Sequence, residues 1–131
     1  MILLDTHVLV WMVTDPKRLS RTADREIHKA QRDRSCAIAS ISLWELAQMF
    51  HNHDLRGVGS IENSIRDILE DTGVKVLEIT PEIADLSMAF PETYPKDPSD
   101  RLIGATARAY GLTLLTRDER ILSSPLIRAL W

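Results

Sequence analysis

The sequence predicts an α/β fold, a three-layer sandwich in which a central parallel sheet of four to five strands lies between helices. Two observations support this prediction. Short apolar runs alternate along the chain with amphipathic stretches bounded by helix-capping residues. The first run, Met1–Leu4, is apolar without interruption and stops at Asp5, and Leu112–Thr116 repeats this pattern before Arg117 and Asp118. Uninterrupted apolar runs are typical of parallel strands buried on both faces.

The length and composition indicate a single domain over residues 1–131. A chain of 131 residues, 44% of them hydrophobic, can bury a substantial core but leaves little room for a second domain. The net charge of −3 argues against a protein that coats nucleic acid by bulk electrostatics. Residues 17–34 are nevertheless basic, with seven Lys or Arg against three Asp or Glu, a local charge of +4. A solvated helix face is the simpler interpretation of so mixed a run.

The single cysteine, Cys36, has no partner for an internal disulfide and lies in an apolar run. We therefore expect a buried thiol and a reducing, cytoplasmic setting. The apolar N-terminus does not predict a signal peptide, because no basic region precedes it and Asp5 and His7 interrupt it. No run approaches the ~18 apolar residues of a membrane span, so we expect no membrane segment.

Two helices are expected between the first and second strands. The apolar residues after Asp5 predict a short helix that ends at Asp15 and Pro16, because the residue before a proline avoids helical geometry. Ser20 is the expected N-cap of a second helix of about a dozen residues. Its inward face would carry Ala23, Ile27 and Ala30.

The next strand is predicted over Cys36–Ala39, and a helix is predicted from Leu43 to about His51. Ser40 or Ser42 would start this helix, which would place Glu45 in its first turn. The residues expected to face inward are Leu43, Leu46, Ala47 and Phe50.

A third pair of elements follows a glycine-containing loop. Ser60 is the expected N-cap of a helix that runs to about Asp71 and ends at Gly73. Residues 74–79 alternate in polarity, which is typical of a strand near the edge of a sheet. The inward stripe of the helix would be Ile61, Ile65, Ile68 and Leu69.

Prolines bound the elements of the last third of the chain. Pro81 is well placed in the first turn of a helix over Glu82–Phe90, and three further prolines mark the loop that follows. A helix from Ser99 to about Tyr110 would precede the strand at Leu112–Thr116. The tail, Leu122–Trp131, predicts a turn and a short last strand.

Four acids occupy comparable positions in this scheme: Asp5 and Asp118 at strand ends, and Glu45 and Asp100 at helix starts. In an α/β sheet these positions share one edge, and that edge is where ligands bind. A carboxylate pair at ~5 Å would cost about 3 kcal/mol at an effective dielectric constant near 20. A divalent cation removes this repulsion, and oxygen ligands suit Mg²⁺ or Mn²⁺. Such a site supports attack of a metal-activated water on a phosphodiester.

Each acid also has a purely structural interpretation. Asp5 can equally cap the helix that follows it, and an isolated acid such as Glu45 is more often an exposed residue favoured by the helix dipole. Asp97 fits an N-cap, with Asp100 in the capping-box position three residues later. Asp118 can begin a turn. The functional interpretation therefore depends on the prediction that all these acids meet at one edge.

Four segments of the chain resemble, in order and spacing, the PIN-domain toxins of the VapC type. Each segment is weakly informative alone, but the ordered set is specific and spans nearly the whole chain. The resemblance implies a PIN-like fold, a Mg²⁺- or Mn²⁺-dependent endoribonuclease, a homodimer, and a partner antitoxin that neutralises the activity on RNA. The matching segments are Ile2–Leu9, Ser42–Ala47, Asp97–Ala107 and Leu114–Asp118.

The resemblance also implies which residues form the site. The acidic residues that would bind the metal and carry catalysis are Asp5, Glu45, Asp100 and Asp118. Thr6 and Thr116 would lie near them, and Asp97 would be a supporting fifth acid. We rank Asp97 below Asp100 because the Asp of the motif directly precedes the apolar part of the helix.

Two arginines and two tryptophans remain open to more than one interpretation. Arg101 and Arg117 flank acids of the predicted site and would suit a substrate phosphate, although surface ion pairs explain them equally well. Trp11 and Trp44 occur at helical spacing and favour core or dimer contacts over stacking with RNA.

Two other functions fit an α/β chain with clustered acids. A catalytically silent PIN-like module that binds protein or nucleic acid would be favoured by the loss of one or more of the four acids, and all four are present. A phospho-acceptor receiver domain requires a lysine after a late strand. The chain instead has Thr116 and Arg117 there, so this alternative ranks last.

Overall fold

The computed structural model describes every residue from Met1 to Trp131. Five strands form one sheet: β1 (Ile2–Leu4), β2 (Cys36–Ala39), β3 (Lys75–Leu77), β4 (Thr113–Leu115) and β5 (Ala129–Leu130). Seven helices connect them: α1 (Thr6–Thr14), α2 (Arg21–Arg32), α3 (Ile41–His51), α4 (Ile61–Thr72), α5 (Pro81–Ser87), α6 (Pro98–Tyr110) and α7 (Glu119–Leu122). None of the helices combines the length and the apolar character needed to cross a bilayer.

The sheet is parallel throughout, with the strand order β3-β2-β1-β4-β5. The prediction of a parallel sheet of four to five strands is therefore confirmed. β1 lies at the centre, with Leu4 opposite Ile38 of β2 on one side and Leu115 of β4 on the other. The chain moves outwards from β1 through β2 to β3 and then returns to place β4 on the other side of β1. This reversal opens a crevice at the carboxyl ends of β1 and β4, the usual ligand site of such sheets.

Helices cover both faces of the sheet, as the three-layer prediction requires. Leu4 and Ile38 face one apolar cluster, which they share with buried residues of α1, α2 and α3 and with half-buried residues of α4. Leu3 and Ala37, one position earlier in each strand, face the other cluster with residues of α5, α6 and α7. The alternation follows from the two-residue period of a strand. Cys36 is buried in the first cluster, as expected.

Most of the predicted helix boundaries are confirmed by specific hydrogen bonds. The hydroxyl of Ser20 accepts from the backbone N–H of Ala23, and the hydroxyl of Ser60 accepts from that of Asn63. Gly111 ends α6 with a φ of 65°, a left-handed conformation that glycine adopts without a steric penalty.

The predicted start of α3 was wrong by two residues. The helix begins at Ile41 rather than Leu43, so Glu45 lies in its second turn and not its first. Ser40, one of the two expected starting residues, is the N-cap, but its side chain makes no capping bond, and only its carbonyl accepts from the N–H of Leu43. Ser42 is left free to bond elsewhere.

Three other expectations were also wrong. α5 ends at Ser87 rather than Phe90, because its last turn tightens and Pro91 disfavours helical geometry at the residue before it. Ile61, expected on the inward stripe of α4, is 38% exposed and lies outside the core. Trp44 was expected in a core or a dimer contact, and its exposure of 57% excludes only the core. The short helix α7, where only a turn was expected, follows Asp118.

Candidate active site

Asp5 lies at the carboxyl end of the central strand, beside the end of β4. Its backbone N–H donates to the carbonyl of Leu115 at 3.0 Å and so extends the pairing of β1 with β4 by one residue. The hydroxyl of Thr116 donates to Oδ2 of Asp5 at 2.7 Å, and the backbone N–H of Thr6 donates to Oδ1 at 2.8 Å. Asp5 and Thr116 are both buried. Each carboxylate oxygen therefore has its own hydrogen-bond donor.

A second threonine holds Glu45 in the same way. The hydroxyl of Thr6 donates to Oε1 of Glu45 at 2.6 Å and lies 2.8 Å from the hydroxyl of Ser42. Because the single proton of Thr6 points at Glu45, Ser42 must be the donor in the second bond. Thr6 and Ser42 are fully buried, so this chain of hydroxyls is fixed from within the core.

Three further acids lie at helix starts around the same edge. Asp97 is the N-cap of α6 and accepts from the N–H of Ser99 at 2.8 Å, while Asp118 is the N-cap of α7 and accepts from the N–H of Arg120 at 2.8 Å. Asp100 makes no capping-box bond back to the start of α6, and its carboxylate has no hydrogen-bond partner within the chain. The structural alternative for Asp100 is therefore not realised.

These acids line one open cleft of about 470 Å³. Six of its ten lining residues are acidic, and Arg117 is the one Lys or Arg among them. The lining residues are Asp5, His7, Val8, Trp11, Glu45, Asp97, Asp100, Arg117, Asp118 and Glu119. The four acids named from the sequence, together with Asp97, thus face a common space.

Burial, together with the concentration of acids, raises the pKa values of three of them. Burial raises the pKa of Asp100 to about 7, and the negative charges of Asp5, Asp97, Asp118 and Glu45 add to this shift. Burial is also the main reason that the pKa values of Asp5 and Glu45 are raised. The Thr116 and Thr6 hydroxyls counteract the rise at Asp5 and Glu45 respectively, because they donate to the ionised carboxylates.

The donor set of the cleft fits a hard divalent cation. All of its acidic ligands are oxygen donors, which Mg²⁺ and Mn²⁺ prefer, and there is no Cys/His cluster of the kind that zinc sites use. No three of the carboxylates are arranged to ligate one ion together. This is compatible with Mg²⁺, which commonly binds through one or two carboxylates and keeps several waters. A cation would also relieve the repulsion that raises the pKa of Asp100.

Comparison with known proteins agrees with this fold. The model of the PIN domain family matches residues 2–124. The chain belongs to the PIN domain family. It is also 36% identical, over 93% of its length and 90% of the relative's, to Ribonuclease VapC22 of Mycobacterium tuberculosis, which confirms the resemblance to the VapC type.

Solved structures share the PIN fold over nearly the whole chain. VapBC2 from Rickettsia felis, bound to a DNA fragment from its promoter, gives a TM-score of 0.74 at 16% identity, covering 99% of this chain and 98% of the other. A toxin–antitoxin complex from Klebsiella pneumoniae gives a TM-score of 0.65 at 21% identity, covering 97% and 95%.

The two arginines singled out from the sequence lie in different surroundings in this PIN domain. The guanidinium of Arg101 donates to the backbone carbonyl of Pro95 at 3.1 Å and to that of Phe90 at 3.5 Å, so it braces the loop ahead of α6. Arg117 is exposed and lines the acidic cleft. Of the two, only Arg117 has its donors free to face a ligand in the cleft.

Two residues that support the site were missed in the sequence. Ser42 looked like a helix cap, but its hydroxyl serves Thr6. Tyr94 is buried, stacks on Phe90 with ring centroids 4.0 Å apart, and donates its hydroxyl to the backbone carbonyl of Asp100 at 2.9 Å. Gly104 makes room for this ring, since a Cβ there would lie 2.3 Å from the Tyr94 hydroxyl. A tyrosine shortly before the Asp97 segment was the available signal.

Proposed function

We propose that this PIN domain is the toxin component of a type II toxin–antitoxin system, an endoribonuclease that hydrolyses RNA phosphodiester bonds with Mg²⁺ or Mn²⁺. The observation that carries the proposal is the convergence of Asp5, Glu45, Asp100 and Asp118 on one cleft where the strand order reverses. The identity to a protein named as a VapC ribonuclease supports the RNA substrate. A catalytically silent module would not need to keep four mutually repelling acids.

The side chains of the site would have different roles in catalysis. Asp5 and Glu45, fixed by Thr116 and Thr6, would hold the cation in a constant position. Asp100 would lose its proton as the cation binds, because its pKa lies near 7 in the metal-free protein. Asp118 would orient the attacking water. The bound cation supplies activation of that water and neutralisation of the scissile phosphate.

We also propose that the protein works in the cytoplasm with a cognate antitoxin and as a homodimer. The similarity to a toxin–antitoxin complex supports the antitoxin. The exposed indole of Trp44 on α3 offers apolar area for a contact between two copies. Light scattering of the purified protein, with and without the Trp44→Ala substitution, measures the oligomeric state directly.

The experiment that tests the activity is RNA cleavage by the purified chain. We expect cleavage of single-stranded RNA with Mg²⁺ or Mn²⁺, arrest by a chelator, and loss of cleavage in Asp5→Asn. Asp67→Asn, which removes an exposed acid of α4 outside the cleft, is the matched control and should cleave normally. Cleavage that survives in Asp5→Asn would contradict the assignment of the site, and RNA binding without any cleavage would favour the silent module.

A further inference from the structure

Arg117 is held away from the acids that surround it. It lines a cleft with six acidic residues, yet it forms no ion pair with any of them. Its guanidinium carbon instead lies 5.9 Å from the centroid of the Trp11 ring, and that of Arg18 lies 4.6 Å from the same ring. Two cations therefore share one indole at the rim of the cleft.

Other rings hold the indole of Trp11 in place. Trp131 packs edge-on against it with centroids 5.8 Å apart, and His7 lies 6.2 Å away in a tilted arrangement. Trp11 is half-buried on α1, whereas Arg18 and Arg117 are exposed. The ring is thus anchored by the fold, and the two guanidinium groups are positioned by the ring.

A guanidinium over an aromatic ring uses its flat face and leaves its N–H groups free at the edge. Those N–H groups match the oxygens of a phosphate, to which arginine often donates two parallel hydrogen bonds. Arg18 also belongs to the basic segment of residues 17–34, which carries a local charge of +4. An entering polyanion would otherwise meet a cleft of acids.

We propose that Arg18 and Arg117, positioned by Trp11, form a subsite for a phosphate group of the RNA strand next to the scissile one. This inference rests on the proposed function, because it takes RNA as the ligand of the cleft. Trp11 acts here as a positioning residue. Without its ring, Arg18 would lose its aromatic contact, and Arg117 would be free to turn towards Asp118 and Glu119, which line the same cleft.

The test is the salt dependence of RNA binding, measured by fluorescence anisotropy with a labelled single-stranded RNA. Ca²⁺ is added as the divalent cation for the cleft, since carboxylates bind it. A gel checks that the RNA stays intact during the measurement. Each phosphate contact with a single strand contributes about 0.7 to the slope of log affinity against log salt concentration. We expect Arg18→Ala and Arg117→Ala each to reduce the slope by about 0.7. Arg66→Ala on α4, which removes the same charge at an exposed residue outside the cleft, should leave the slope unchanged.

Variants of Trp11 separate positioning from charge. Trp11→Leu keeps both arginines and should reduce the slope by up to about 1.4, the loss of two phosphate contacts. Trp11→Phe should restore part of it, because phenylalanine also offers a face to a cation. A purely structural role of Trp11 would lower the melting temperature and leave the slope unchanged.

The outcomes distinguish failure of the subsite from failure of the proposed function. If the arginine variants reduce the slope but wild-type protein never cleaves RNA, the subsite holds and the ribonuclease does not. Normal cleavage with unchanged slopes would overturn the subsite alone. The subsite would also be overturned if wild-type protein binds no RNA, or if the two arginine substitutions weaken only the binding of the antitoxin.

Discussion

The inner and outer carboxylates of the cleft carry the same charge but are held in different ways. Asp5 and Glu45, the inner pair, each accept from a buried threonine hydroxyl that the sheet and α3 keep in place. Asp100 and Asp118, the outer pair, lie at the starts of α6 and α7, and the carboxylate of Asp100 has no partner within the chain. The inner pair is therefore positioned by the core. In the outer pair, Asp100 is free to adjust, and Asp118 is held only by Arg120 at the start of its own helix.

The difference suggests that the inner pair determines the position of a bound cation and that the outer pair adds to its affinity. Carboxylates with fixed partners keep the position of a cation constant, and unpartnered carboxylates can turn towards it once it arrives. Burial and the charges of the neighbouring acids raise the pKa of Asp100 to about 7, so its ionised form is disfavoured without a cation.

Loss of an inner carboxylate should be more damaging than loss of an outer one. Residues that only orient metal ligands typically account for about 10–100-fold in activity, so Asp5→Asn should lower the rate of RNA cleavage by more than about 100-fold. Asp118→Asn should lower the cleavage rate by less, because the acids beside Asp118 can adjust their positions around the cation. Initial rates with saturating Mn²⁺ measure both. Equal losses would remove the distinction between inner and outer acids.

Removal of the threonine hydroxyl that holds Asp5 should have the next largest effect. Thr116→Val keeps the shape of the side chain but leaves Oδ2 of Asp5 without its donor, so we expect a loss of activity of about 10–100-fold. Thr116→Ser retains the hydroxyl and is the control. The comparison fails if valine and serine give the same rate.

Ser42 acts one bond further from the site, and its effect should be smaller. Ser42→Ala removes the donor to Thr6 and loosens the hold on Glu45, so we expect a loss of less than about 10-fold, concentrated in kcat rather than KM. Ser64→Ala, at a buried serine outside the cleft, controls for the general effect of removing a buried hydroxyl. A larger loss in the control would show that Ser42 matters only for packing.

The smallest effect is on the pH dependence of stability without metal. Asp100 has a pKa of 3.8 when unfolded and about 7 when folded, so between these values the folded protein binds the extra proton. Its contribution to stability is therefore greatest below pH 3.8 and is lost as the pH rises through about 7. Calorimetry should show that the melting temperature falls less in Asp100→Asn than in wild type as the pH rises over this range. Parallel curves for the two proteins would refute the shift at Asp100.

The sequence predicted what local patterns determine. The apolar run before Asp5, the cap at Ser20 and the glycine at position 111 each act within a few residues, and their elements formed as expected. The acids could be assigned to one edge because alternating strands and helices allow few topologies.

Contacts between distant residues could not be predicted in the same way. Thr116 reaches Asp5 across 111 positions, and Ser42 reaches Thr6 across 36. These bonds depend on strand order and on the rotation of α3 about its axis. A start of α3 misplaced by two residues was enough to make Ser42 look like a cap. The approach of Arg117 to Trp11, across 106 positions, could not be predicted for the same reason.

The most direct test of the central claim, that these distant carboxylates form one divalent-cation site, is anomalous diffraction from crystals grown with Mn²⁺ at a pH above 7. We predict a manganese peak in the cleft, bound by Asp5 and at least one of Glu45, Asp100 and Asp118, directly or through water. A fully occupied manganese peak elsewhere, or none at saturating Mn²⁺, would contradict the claim.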